Sequence, residues 1–263
     1  MLGAIIGDTV GSVYEFHNTR TKNFKLFTDR SEPTDDSIMT LAVADVVLSG
    51  DTSYDNVVKT LRKWGNEYPY AGYGGMFANW LRTRLPEPYN SCGDGAAMRI
   101  SPVGWVAKSE EEVVKLSRAV TEVTHNHPEG IKGAEAVAMC IYLARKGFSK
   151  EQIKERMVKE YYPEIKDLSF EELKKTYEFS EICQKSVPQA IYCFLISNGL
   201  EDAIRNCVAI GGDCDTTGAM AGAIAEAYYK NEKSKEFIEY FSYYFIDPDV
   251  GKLVKDFHDL IGR

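Results

Sequence analysis

Glycine stands at every fourth residue in Gly3, Gly7 and Gly11, and far down the chain the segment Gly218-Ala219-Met220-Ala221-Gly222-Ala223-Ile224-Ala225 is built almost wholly of small residues. Glycine inside a helix costs about 0.5–1 kcal/mol relative to alanine, so its repetition on one helical face implies that another backbone must come close. Two such faces permit a tight central helix pair.

The remainder of the chain carries the same period. Apolar residues fall at helical intervals almost everywhere, whereas period-two runs are short and rare, which predicts an all-α fold. Helices are expected at about 37–48, 55–67, 110–123, 133–146, 150–161, 170–183, 187–197, 200–209, 217–230 and 234–244. Residues 70–105 are rich in glycine and aromatics and show no clear period; loops of that length in a compact domain usually carry function. No charge block, low-complexity tract, proline-rich linker or internal repeat divides the chain, so residues 1–263 are expected to form one compact multi-helix domain.

The net charge of −8 and a pI near 5.2 argue against nonspecific binding to nucleic acid or an anionic membrane surface, both of which need clustered Lys and Arg. A phosphate-bearing substrate requires cations that offset the carboxylates. The six cysteines (Cys92, Cys140, Cys183, Cys193, Cys207 and Cys214) form no C-x-x-C pair, and the N-terminus lacks the basic region and long apolar run of a signal peptide. Together these suggest a reducing cytoplasm. No stretch approaches the ~18 uninterrupted apolar residues of a membrane span, so a soluble protein, with a monomer favoured, is expected.

Two acidic knots stand out, Thr34-Asp35-Asp36 and Asp213-Cys214-Asp215-Thr216. Four carboxylates and two threonine hydroxyls suit hard divalent cations such as Mg²⁺, Mn²⁺ or Ca²⁺ rather than Zn²⁺ or copper. Each knot also precedes a predicted helix, where aspartate is a preferred cap. Capping explains one aspartate per helix comfortably and adjacent carboxylates poorly, since like charges repel unless a cation or proton lies between them. Residue types alone leave both readings open. Glu15, about two helical turns past Asp8, reads by itself as a solvated helix end.

Five blocks then follow one another between Gly3 and Ala225: GAIIGDTVGSVYEF, PTDDS, SCGDGAAMRISPVGW, THNHPEGIKGA and GGDCDTTGAMAGAIA. The series resembles the ADP-ribosylglycohydrolase family, which includes dinitrogenase reductase-activating glycohydrolases, ADP-ribosylarginine and ADP-ribosylserine hydrolases, and J1-type lens crystallins. The resemblance implies an all-α domain holding two Mg²⁺, or Mn²⁺ in some members, at the mouth of an ADP-ribose cleft. It assigns Thr34, Asp35, Asp36, Asp213, Asp215 and Thr216 as metal ligands. Glu15 becomes the glutamate of a mobile loop that approaches a metal or gates the cleft, against its solvated reading. Asn90, Ser91, Cys92, Gly93, Asp94 and Gly95 resemble the loop that wraps the ribose and diphosphate, where glycines let backbone N–H groups reach phosphate oxygens. His125 aligns with a histidine near the diphosphate; a zinc pair with His127 lacks a third nitrogen or sulfur ligand nearby. His127, His17 and His258 read as surface histidines. Asp94 replaces an asparagine common among relatives, and Cys214 a small polar residue.

What the resemblance implies is metal-dependent hydrolysis of the bond between the anomeric carbon of ADP-ribose and an acceptor, releasing ADP-ribose. Asp35 and Asp36 are the candidates to accept the proton of the attacking water, with Asp35 also touching substrate and Glu15 assisting or admitting it. The expected substrate is an ADP-ribosylated protein or another ADP-ribose conjugate, and nucleic acid only if it carries ADP-ribose. Two other readings are a noncatalytic ADP-ribose-binding or crystallin-like structural protein, and a two-metal pyrophosphate or phosphoester hydrolase. The full ligand set argues against the first, and product analysis separates the second.

Overall fold

Helix α1 (Leu2–Gly11) lies directly on helix α12 (Cys214–Tyr229) because neither presents a side chain where they cross. A methyl group at Gly7 would land on the carbonyl of Gly218, and one at Gly218 would stand 2.7 Å from the carbonyl oxygen of Gly7. The small faces therefore bring backbone against backbone, as their composition predicts.

The computed structural model describes residues 1–230 and 247–262. Those residues contain thirteen α-helices and no strand, only an isolated bridge between Gly93 and Ile182. Between the central pair run α2 (Asp35–Ser49), α3 (Tyr54–Glu67), α4 (Gly75–Arg82), α5 (Ser101–Val106), α6 (Glu110–Thr121), α7 (Pro128–Lys146), α8 (Lys150–Glu160), α9 (Phe170–Thr176), α10 (Cys183–Leu195) and α11 (Leu200–Ile210). Helix α13 (Pro248–Leu260) follows and packs on α2. Helix α12 is buried almost throughout and touches α1, α7, α10 and α11, so one hydrophobic core, with Val10, Met39, Ile141, Phe194 and Met220 among its members, surrounds it. No helix among the described residues is long and apolar enough to cross a membrane.

Several boundaries differ from the sequence expectation. The aperiodic region 70–105 contains α4, a 3-10 turn at Asp94–Ala96 and α5. Helices of six to eight residues are too short to display a period. The helix expected at 170–183 stops at Thr176, and the extended residues after it bring Ile182 beside Gly93. Helix α10 then starts at Cys183 rather than 187 and carries Pro188 in its interior. Helix α7 starts earlier than 133 because the His127 ring accepts the amide of Glu129 at 3.1 Å and caps it. Helix α13 carries no counterpart in the expected set, and the helix expected at 234–244 lies outside the described residues.

Candidate active site

Asp8 sits fully buried on the interior of α1 and accepts four donors from the start of α2. The Thr34 hydroxyl donates at 2.7 Å, the amides of Thr34 and Ser37 at 2.9 and 3.0 Å, and the Ser37 hydroxyl completes the set. An acid of one helix thus satisfies the amide groups at the N-terminus of another. The Thr34 side chain is the local cap of α2, accepting the Asp36 amide, and Asp213 at the cap position of α12 makes no side-chain capping bond. Helix capping therefore leaves the carboxylates of Asp36 and Asp213 unexplained.

Those carboxylates converge instead. Oxygens of Asp8, Asp36 and Asp215 lie within 4.8 Å of one another, and so do oxygens of Glu15, Asp213 and Asp215. Asp215 belongs to both groups. Thr216 donates to Asp36 Oδ2 at 3.2 Å, while the buried Asp36 Oδ1 has no partner. Crowding and burial push these acids upward: Asp8 to about 7, by burial first and Asp215 second, and Asp35 to about 8 for the same leading reasons. Glu15 rises to about 8 through burial and Asp215. Asp36 and Asp213 are raised as well, again by burial first. An oxygen-only donor set with mutually repelling carboxylates and an orphaned buried oxygen fits hard divalent cations. Asp35 lines the cleft outside both groups.

Glu15 is half-buried, and its loop is fastened rather than free. Asn18 Nδ2 donates to the carbonyls of Tyr14, Glu15 and Gly212 at 2.7, 3.1 and 3.1 Å, and the Gly212 amide returns a bond to Asn18 Oδ1 at 2.8 Å. Arg20 reaches across to the carbonyls of Tyr177 and Ile210. Gly211 and Gly212 adopt φ of 76° and 75°, the left-handed region that glycine occupies without strain. The loop after α1 is thus tied to the turn before α12, which replaces the solvated reading of Glu15. Sequence reasoning missed Asp8, Asn18 and Arg20. An acid inside a helix of small and apolar residues was the available signal for Asp8; nothing in the sequence marks Asn18 or Arg20.

A cleft of about 400 Å³ opens over the acids and is walled by Ser91, Gly93, Asp94, Gly95, Arg99 and His125. Asn90 and Cys92 stand in the same loop without lining it. Asn90 is exposed with its amide held by Asn126 Oδ1 at 2.7 Å, and the Cys92 carbonyl accepts the Cys183 amide at 3.0 Å. Burial raises Asp94 to about 7, and its Oδ2 has no partner. His125 is 5% exposed, and burial with the nearby Arg99 drives it well below its usual range, so its ring is neutral. The buried Cys214 thiol bonds to the Gly212 carbonyl at 3.4 Å, which makes it a packing residue between two ligand candidates. At the rim the exposed Phe16 stacks on Phe179 with centroids 6.0 Å apart.

A family model described as ADP-ribosylglycohydrolase matches residues 1–238. The chain belongs to the ADP-ribosylglycohydrolase family. Membership makes it a glycohydrolase, as its relatives do. ADP-ribosylhydrolase ARH3 of Mus musculus is 29% identical over 313 residues, covering 90% of this chain and 84% of the relative. The Homo sapiens ARH3 is 28% identical over 316 residues, covering 90% and 86%. An ADP-ribosylarginine hydrolase, Tri1 of Pseudomonas putida (strain GB-1), is 26% identical over 259 residues, covering 87% of the glycohydrolase and 69% of Tri1. A solved structure titled ADP-ribosylglycohydrolase-related protein complex shares the fold, with a TM-score of 0.76 at 21% identity over 99% of this chain and 97% of that one.

Proposed function

We propose that this glycohydrolase uses two Mg²⁺, with Mn²⁺ as an alternative, to cleave the bond between ADP-ribose and a modified side chain or other acceptor, releasing ADP-ribose. The observation that carries the reading is the pair of three-carboxylate groups sharing Asp215 beneath a cleft with a glycine-rich wall. Divalent cations would supply, when bound, a Lewis acid that orients ribose hydroxyls and acidifies the attacking water, while the surrounding carboxylates would offset the positive charge that develops at the anomeric carbon.

Thr34, Asp35, Asp36, Asp213, Asp215, Thr216 and Glu15, joined by Asp8, are the residues that would hold them. Asp35 is the freer of the two candidate bases, since Asp36 is already engaged by the Thr216 hydroxyl and grouped with Asp8 and Asp215. Glu15, half-buried at the mouth, assists or admits the substrate. On the opposite wall Ser91, Gly93, Gly95 and His125 offer polar and backbone groups to a diphosphate. A carboxyl with its pKa near 7 can keep its proton, so Asp94 can donate where an ionised acid would repel.

The names of ARH3 and Tri1 support an ADP-ribosylated protein or ADP-ribose conjugate as substrate. One continuous core supports a single domain over residues 1–263, and six free thiols support a reducing, cytoplasmic setting. The test is chromatography of products from an ADP-ribosylated protein, with Mg²⁺ and with excess EDTA. Free ADP-ribose that requires the cation is expected. AMP with ribose phosphate, or undiminished turnover in EDTA, overturns the reading.

A further inference from the structure

Arg99 is the bulkiest of the fully buried side chains among the described residues, 1% exposed, and it stands in the cleft wall with its guanidinium 5.6 Å from the Phe77 ring centroid. Its Nη2 donates to the Thr124 hydroxyl at 2.8 Å and to the Val120 carbonyl at 3.3 Å, while the buried Nε has no partner. The same Thr124 hydroxyl lies 2.8 Å from His125 Nδ1. The far nitrogen of that ring faces the glycine loop: a methyl group built at Gly95 would stand 3.2 Å from His125 Nε2, and one at Gly93 3.7 Å away.

A neutral imidazole has one N–H and one lone pair, and its negative end lies at the bare nitrogen. With a guanidinium on the Nδ1 side, the ring is lower in energy when Nδ1 is bare. The hydroxyl agrees with this. Its oxygen already accepts from Arg99, and its single proton has Nδ1 at 2.8 Å as a nearer acceptor than the Thr121 carbonyl at 3.3 Å, with the Tyr89 hydroxyl as a further neighbour.

We infer that Arg99 and Thr124 are positioning residues that hold His125 as the Nε2–H tautomer, aiming a neutral N–H over Gly93 and Gly95 at an anionic oxygen of the bound diphosphate. The target rests on reading the cleft as an ADP-ribose site; the tautomer does not. A neutral donor has a further advantage here. A cationic imidazole would be drawn to the carboxylates in the same cleft, whereas a neutral N–H selects an acceptor by geometry.

The experiment is long-range ¹H–¹⁵N spectroscopy of the histidine rings in wild type, Thr124→Val and Thr124→Ser, paired with titration of ADP-ribose in the presence of Mg²⁺. Wild type is expected to show His125 protonated at Nε2. Thr124→Val should lose the single-tautomer signature and bind ADP-ribose roughly 10-fold more weakly, the loss of one oriented hydrogen bond, and Thr124→Ser should restore both. A purely structural role would leave the ring's tautomer unmoved. Protonation at Nδ1 in wild type overturns the inference without any variant, as does Thr124→Val with an unchanged tautomer, whatever its affinity. If wild type binds no ADP-ribose, the functional reading of the cleft fails, while the ring spectrum still decides the tautomer.

Discussion

The carboxylate of Asp8 accepts the backbone amide of Ser37 at 3.0 Å, joining the interior of α1 to the first turn of α2. An oxygen of the same acid lies within 4.8 Å of oxygens of Asp36 and Asp215. One side chain thus fastens two helices together and enters the cluster that would hold a cation. The cluster's geometry is therefore inherited from helix packing.

Replacing Asp8 by Asn keeps its size but turns an amide group toward the donors of Thr34 and Ser37. Hydrogen bonds to a charged group are each worth about 1.5–3 kcal/mol, and loss of a group that orients ligands typically costs 10–100-fold in metal affinity. Asp8→Asn should weaken Mg²⁺ binding by at least about 10-fold. Because Asp8 is raised to about 7, it is partly protonated without a cation, and an amide imitates that form. The variant should accordingly lose more thermal stability in Mg²⁺ than in EDTA. Calorimetric titration and thermal melts read both effects, and equal losses in the two buffers would contradict the assignment.

Stability without cations should fall as pH rises. Asp8, Asp35 and Asp94 have folded values near 7 to 8 against an unfolded value of 3.8. A carboxyl raised by folding contributes stability that is fully present below its unfolded pKa and is lost as pH climbs through the folded one. In EDTA the melting temperature should therefore drop between about pH 5.5 and 8.5, by at least roughly 3 °C, the shift that about 1 kcal/mol produces in a chain of this size. Cations bind the deprotonated acids, so Mg²⁺ should raise the melting temperature more at the higher pH. A melting temperature that is flat across this window in EDTA would show that the acids are not crowded.

Gly7→Ala should be among the most damaging single changes. Its methyl group would collide with the Gly218 carbonyl, which is backbone and has nowhere to go. Overpacking a tight core commonly costs about 1–3 kcal/mol and occasionally more, against a gain in helix propensity of at most about 1 kcal/mol. Gly251→Ala, where nothing lies within 4 Å, supplies the control. Denaturant melts should show a large loss for the first and little change for the second. Because α1 carries Asp8 and leads into Glu15, Gly7→Ala should also weaken Mg²⁺ binding.

Residue types alone left the acidic knots open between helix capping and cation binding, and read Glu15 as a solvated helix end. Thr34, Asp36, Asp213, Asp215, Thr216 and Glu15 all line the cleft, and for Glu15 it was the family-like blocks, not its residue type, that led one to expect this. Asn90 and Cys92 share the loop of Ser91 and Gly93 without lining the cleft; the Asn90 amide is held by Asn126 and the Cys92 carbonyl by the Cys183 amide. His127, expected as a surface histidine, caps α7, a role visible only once the helix start is known.

The sequence by itself determined the all-α class, the close approach of two small-faced helices and the oxygen-rich composition of the cluster. Each of these follows from local periodicity or side-chain chemistry. Only the tertiary structure decided that Asp8 joins Asp36 and Asp215, that Asn18 and Arg20 anchor the Glu15 loop, and that Arg99 reaches His125 through Thr124. Those relations depend on how α1, α2 and α12 cross and on which backbone carbonyls their loops leave open. Residues 8 and 215 meet because glycine removes the side chains between their helices, and no periodicity along the chain encodes that distance.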